Sequence, residues 1–150
     1  MKLSNEEFQR QLLLDKVFED NNTELPGQGE SRTFNLINSE YNERFLLDIN
    51  RSGKIELRKY TLQDRYQKSK MPLVRVDIDG PTHRNPDGRK ISRNHIHIYQ
   101  DMETEDECRG LPWAYEITDI FQTTDFEFMN ILDLFCKYCH IDDSNLQRIL

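Results

Sequence analysis

Residues Leu73–Tyr99 read LVRVDIDGPTHRNPDGRKISRNHIHIY. Two runs in this stretch alternate between apolar and polar residues. Val74, Val76 and Ile78 are interleaved with Arg75, Asp77 and Asp79, and Ile96 and Ile98 with His95, His97 and Tyr99. Successive side chains of a strand point to opposite faces, so each run has one apolar face for a core and one polar face. Pro81, Pro86, Asp87 and Gly88 supply turn chemistry between the runs. The stretch therefore predicts two antiparallel strands of one sheet, joined by a long loop that bends back over them.

The same alternation recurs upstream at Phe34 and Leu36, at Phe45, Leu47 and Ile49, and at Ile55 and Leu57, while Trp113–Ile117 reads as a further short strand. Asn38–Asn42 and Asn50–Gly53 carry residues that favour hairpin turns. The pattern changes at both ends. Phe8, Leu12, Leu13, Leu14, Val17 and Phe18 follow a helical spacing, with Ser4 and Glu7 placed as a capping box. From Asp125, residues Phe128, Met129, Ile131, Leu132, Phe135 and Cys139 recur at helical spacing. These patterns predict one α+β domain over residues 1–150. It has an N-terminal helix within 1–20, an antiparallel meander of about five strands within 31–120, and a C-terminal helix over 125–141. Both helices would cover the apolar face.

The chain is acidic, with a formal net charge of −7, so a surface for gripping nucleic acid is not expected to be its main feature. Lys59–Lys70, with Tyr60 and Tyr66, is the one locally basic stretch. It reads as a solvated strand end or loop, or as a contact to nucleic acid. The acidic run Asp101–Glu107 reads as an exposed loop, and Glu103, Glu105, Asp106 and Glu107 as a patch offered to a basic protein partner. No apolar run approaches a membrane span, and the first twenty residues hold no signal-like apolar core. With three cysteines, an odd number, a cytoplasmic setting is expected. Cys136 and Cys139 sit at helical spacing as core residues; the alternative is zinc held with His140 and Cys108.

Three of the four histidines lie in the opening stretch. His95 and His97 share one strand face, His83 lies in the loop, and Asp77 and Asp79 share the facing strand's polar side. In a symmetric hairpin register, Asp79 would oppose His95 and Asp77 would oppose His97, at the short range of directly paired residues. Three imidazoles and a carboxylate suit zinc, and would also suit other divalent transition metals. The predicted ligands are His83, His95, His97 and Asp77, with Asp79, Arg75 and Tyr99 beside them. Two other readings remain open: a solvated sheet face with ordinary hydrogen bonds, and metal-free acid–base chemistry.

His-hydrophobic-His resembles the metal-binding strand of HUH endonucleases. In those enzymes the pair holds a divalent ion against a scissile phosphate and a tyrosine on a separate helix attacks, a role for which Tyr138 is the match. A broader resemblance rests on FLLDINRSGKIELRKYTLQDRYQ, VRVDIDGPTHRNPDG, HIHIY, WAYEI and FCKYCHI. From about Arg32 to Ile141 the chain resembles a family of small, functionally uncharacterised proteins of phages and mobile elements. That resemblance implies Asp77, His83, His95, His97 and Tyr99 as motif positions, with a longer Asp101–Arg109 segment here. Small size, acidity and a single domain are also similar to anti-CRISPR inhibitors. These likenesses imply a non-enzymatic, metal-binding inhibitor that blocks a host defence nuclease, such as a Cas9-like effector, by protein contact. The alternative is a metal-dependent nuclease or phosphoesterase acting on RNA or DNA through His83, His95 and His97.

Overall fold

The computed structural model describes residues 1–53 and 58–146. The alternating pair Ile55 and Leu57 lies outside the described residues. Four helices and nine strands are present among those described: α1 (Asn5–Leu13), β1 (Val17–Phe18), β2 (Ser31–Asn38), β3 (Glu43–Asn50), β4 (Tyr60–Tyr66), β5 (Met71–Ile78), β6 (His83–Arg84), β7 (Lys90–Ile91), β8 (His95–Ile98), α2 (Glu105–Arg109), β9 (Ala114–Glu116), α3 (Ile117–Ile120) and α4 (Phe128–Tyr138). Seven strands form one antiparallel sheet in the order β1-β2-β3-β4-β5-β8-β9, and β6 pairs with β7 in a small separate hairpin. The fold is α+β as the patterning predicts, with more strands than the five expected.

Local chemistry sets the helix ends. Ser4 Oγ accepts the Glu7 N–H at 3.0 Å while Glu7 Oε1 accepts the Ser4 N–H at 3.3 Å, which completes the predicted capping box. The N-terminal helix stops at Leu13, short of the expected boundary, because Leu14 is already extended at ψ 134°. On α4, Ile131, Leu132, Phe135 and Cys136 are buried and join the core cluster with Phe34, Phe45, Leu62, Val76 and Ile96. Cys108, Cys136 and Cys139 are all buried.

The Lys59–Lys70 stretch is a correction. Most of it is the interior strand β4, paired to β3 on one side and β5 on the other. Its core face is Tyr60, Leu62 and Asp64, and the buried aspartate conceals the alternation. Its outward Arg65 donates from Nη2 to Asp48 Oδ1 at 2.8 Å, and Thr33 and Gln63 donate to the same carboxylate. The acidic run is likewise not a loop throughout: Thr104 caps α2, and its hydroxyl accepts the Glu107 N–H at 3.1 Å.

Among the described residues, two charged side chains lie fully inside the core. Lys16 follows α1 and is 0% exposed; Asp64 on β4 is also 0% exposed. The Lys16 ammonium donates to the carbonyls of Leu12 (3.0 Å), Leu14 (2.9 Å) and Cys139 (2.7 Å), so it caps the C-terminal ends of both α1 and α4. Neither Asp64 oxygen has a well-formed hydrogen bond. Burial outweighs the attraction of Lys16 and pushes the Asp64 carboxyl up to about 6. A carboxyl whose pKa rises on folding holds its proton more tightly in the native state. Its contribution is fully present below the unfolded value near 3.9 and is lost as pH rises through about 6. Asp64→Asn is therefore expected to stabilise the protein at pH 7.5, by up to about 3 kcal/mol, and to change little at pH 4. Urea unfolding at the two pH values checks this; a variant less stable than wild type at pH 7.5 contradicts it.

Candidate metal centre

The face of the sheet away from α4 carries the histidines. In the observed register of β5 and β8, Asp77 pairs with His95 and Arg75 with His97. The expected hairpin register is thus displaced by two residues. A two-residue shift preserves the face of every side chain, so the same residues still converge. Asp79 is left out: it lies beyond β5 with φ 54°, and its N–H donates to Asn94 Oδ1 at 2.9 Å. Tyr99 is also displaced. It follows the end of β8 and turns to the core side, where its ring lies 5.4 Å from that of Phe8. Its hydroxyl accepts the Leu3 N–H and donates to the Leu3 carbonyl.

The β6–β7 hairpin folds over the outer edge of the sheet, as the prolines and turn residues predict. Asn85 donates from Nδ2 to the Ala114 carbonyl at 3.0 Å and accepts the Ala114 N–H at 2.9 Å, which closes part of the β9 edge. Ser92 N–H donates to Glu116 Oε2 at 3.0 Å. These clips bring the backbone of Ser92 and the segment Leu111–Pro112 against the imidazoles.

Each histidine has its tautomer set by a carbonyl, which can only accept. His95 Nδ1 donates to Ser92 O, and His97 Nδ1 donates to Leu111 O at 2.7 Å. Both Nε2 atoms then point at Asp77 Oδ2, each 3.2 Å away. Ligand atoms of Asp77, His95 and His97 all lie within 4.8 Å of one another. His83 stands beside them, its ring 4.7 Å from that of His97 and 5.8 Å from that of His95. Its Nε2 donates to Pro112 O at 2.7 Å, and the predicted ligand His83 thus stays outside the group that converges.

The electrostatics separate the two histidines. Burial lowers the pKa of both. For His95 the Asp77 and Ser92 hydrogen bonds outweigh burial and raise it, whereas for His97 burial and the Arg75 charge prevail and lower it. Burial alone would raise Asp77, but the His95 hydrogen bond, the adjoining His97 ring and the Arg75 charge hold it far below the usual carboxylate range. His95 can donate to Asp77 from Nε2 when protonated, whereas neutral His97, its Nδ1–H spent on Leu111 O, carries an Nε2 lone pair in need of a donor. Arg75 fills that role, with Nη2 3.1 Å from His97 Nε2 and 3.4 Å from Asp77 Oδ2.

Two Nε2 atoms, each backed by an Nδ1–H on a carbonyl, and one carboxylate oxygen form a donor set that fits a divalent transition metal. This group of Asp77, His95 and His97 could hold a metal ion. The alternative cysteine site does not assemble among the described residues: the three thiols are buried, and His140 faces Asp15 at 3.7 Å. Tyr138 is on α4, across the sheet from the histidines, with its ring 6.0 Å from Phe121. A cavity of about 510 Å³ lies elsewhere, between Arg51, Arg58, Tyr60, Asp79 and Phe128. Within the acidic patch, Glu103, Asp106 and Glu107 are exposed, while Glu105 pairs with the N-terminal ammonium and lies 3.6 Å from Arg109.

Sequence reasoning missed the two carbonyls that aim the imidazoles, for which no side-chain signal exists. It also missed the Lys16 and Asp64 pair, whose signal was a charge inside an apolar pattern.

Together these features define an α+β protein whose main sheet carries a largely enclosed Asp-His-His group under an edge hairpin. The chain belongs to the family of unknown function DUF6978, which matches it over residues 3–141. No curated protein and no solved structure matches the chain. No described helix is long and apolar enough to cross a membrane.

Proposed function

We propose that this is a metal-stabilised binding protein, with the ion at Asp77, His95 and His97 serving structure instead of turnover. The observation that carries this reading is closure of the site: His95 and His97 are each 2% exposed and bonded to backbone carbonyls. On the histidine side an ion held there is closed to substrate, and solvent reaches it past Arg75. Zinc suits the nitrogen and oxygen donors of Asp77, His95 and His97, with exchangeable water at the remaining position. Such an ion would tie β5 to β8, so that metal affinity becomes folding stability.

The partner is then a protein. A net charge of −7 and the exposed carboxylates Glu103, Asp106 and Glu107 support contact with a basic surface. Together with the likeness to small mobile-element proteins, they favour a cytoplasmic inhibitor of a host defence nuclease of the CRISPR effector type. Elemental analysis is expected to find one transition metal per chain in wild type and in His140→Ala, and about tenfold less in His97→Ala. The thermal midpoint of His97→Ala should fall with its metal. Metal-free wild type after chelator-free purification overturns the metal reading. Absence of both binding and inhibition across Cas9-like effectors overturns the partner reading.

One observation favours an alternative, a metal-dependent nuclease or phosphoesterase. Arg75 is 33% exposed beside the group and could meet a phosphate. Cleavage of labelled RNA or DNA with Mn²⁺, Mg²⁺ or Zn²⁺, abolished by His97→Ala, would establish it.

A further inference from the structure

We infer that metal entry evicts Arg75 and that the freed guanidinium, together with the ion's open coordination position, forms a binding site for a small phosphate-class oxyanion. This rests on the metal reading above. Arg75 now sits in the seat the ion needs. His97 Nδ1–H is spent on the Leu111 carbonyl, so Nε2 carries the lone pair, and Arg75 Nη2 donates to it at 3.1 Å. The same Nη2 lies 3.4 Å from Asp77 Oδ2, the oxygen facing both imidazoles. A divalent ion requires that lone pair and that carboxylate, and it would face a guanidinium at contact distance. Two cations cannot share the position in a half-buried setting without strong repulsion.

Arg75 can leave. Its Nε lies 3.2 Å from Asp77 Oδ1 but out of line for a hydrogen bond, and this buried nitrogen has no other partner. The side chain is 33% exposed, against 15% for Asp77 and 2% for each of His95 and His97, so the Arg75 flank is where solvent reaches the group. Once the ion is seated with Asp77 as its one carboxylate, the site is strongly positive on an otherwise acidic protein. A vacant coordination position and a mobile guanidinium on the same flank match an oxyanion that bridges metal and arginine. Phosphate offers enough oxygens to satisfy both.

Co²⁺ titration read by its visible absorption, on wild type, Arg75→Met and Arg75→Lys, tests this. Arg75→Met should bind Co²⁺ roughly tenfold more tightly than wild type, because the resident cation is gone. Millimolar inorganic phosphate should change the spectrum of Co²⁺-loaded wild type, change that of Arg75→Lys less, and leave Arg75→Met nearly unaltered. Thermal melts of the metal-free variants check that each is folded, and Arg75→Lys serves if Arg75→Met is not. Unchanged Co²⁺ affinity in Arg75→Met, or no phosphate response in loaded wild type, overturns this inference while leaving the metal reading intact. A response to acetate and none to phosphate overturns the assignment to phosphate. Failure of wild type to bind Co²⁺ overturns both.

Discussion

Lys16→Met should cost the fold about 3–5 kcal/mol, one of the two largest losses expected from any single change here. Methionine keeps the length and apolar stem but cannot donate. The carbonyls of Leu12, Leu14 and Cys139 would each lose their ammonium partner at 0% exposure, and the Phe45 ring would lose the cation 4.6 Å from its centre. The damage falls on a junction: Lys16 N–H donates to His140 O and Lys16 O accepts the Asp142 N–H, each at 2.8 Å, so this residue joins the N- and C-terminal segments. Asp64 would also lose its nearby positive charge, which lowers its pKa against the larger effect of burial. Urea unfolding reads the loss. If the carbonyls dominate, the loss at pH 5, where Asp64 holds a proton, stays close to that at pH 7.5. A loss under about 1 kcal/mol at both pH values contradicts the capping role.

Asp77→Asn should be the other severe change, about 3 kcal/mol in metal-free protein near pH 5.5 and roughly half that at pH 8. The direction follows from the two histidines. His95 has its pKa raised by Asp77 and Ser92 against burial, so its contribution is fully present below the unfolded value near 6.5. That contribution is lost as pH rises through the folded value. Asp77 itself is depressed, so its contribution is present above about 3.9 and persists until pH falls far lower. Without the carboxylate, only the Ser92 carbonyl opposes burial at His95, and an imidazolium 2% exposed has no counter-charge. His97 adds to the acid sensitivity, because burial lowers its pKa and protonating it costs the native state. Arg75 loses its partner at every pH, which sets the smaller loss at pH 8. Urea unfolding in EDTA at the two pH values distinguishes this; equal losses at both would exclude His95 as the linked group.

The sheet was largely readable from alternation. Phe34, Phe45, Leu47, Val76 and Ile96 mark the core sides of β2, β3, β5 and β8, because a strand's period of two assigns each residue a face whatever its neighbour is. For the same reason Asp77, His95 and His97 could be placed on one polar face without knowing the register. The helix α4 and the Ser4 cap were equally legible, since both depend on local spacing. Strand β4 was not, because its core side includes Asp64, and a carboxyl there makes sense only beside Lys16 and under two helix ends supplied from far along the chain. The pairing of Asp77 with His95 depended on how residues 79–94 turn, with Asp79 at positive φ and Asn85 clipped to β9. Tyr99 changed sides because β8 ends one residue before it. Arg75 in the metal's seat and the Ser92 and Leu111 carbonyls that aim the imidazoles are contacts between segments. Residue types and their spacing set faces, whereas direct opposition, backbone acceptors and burial arise only once the chain has closed on itself.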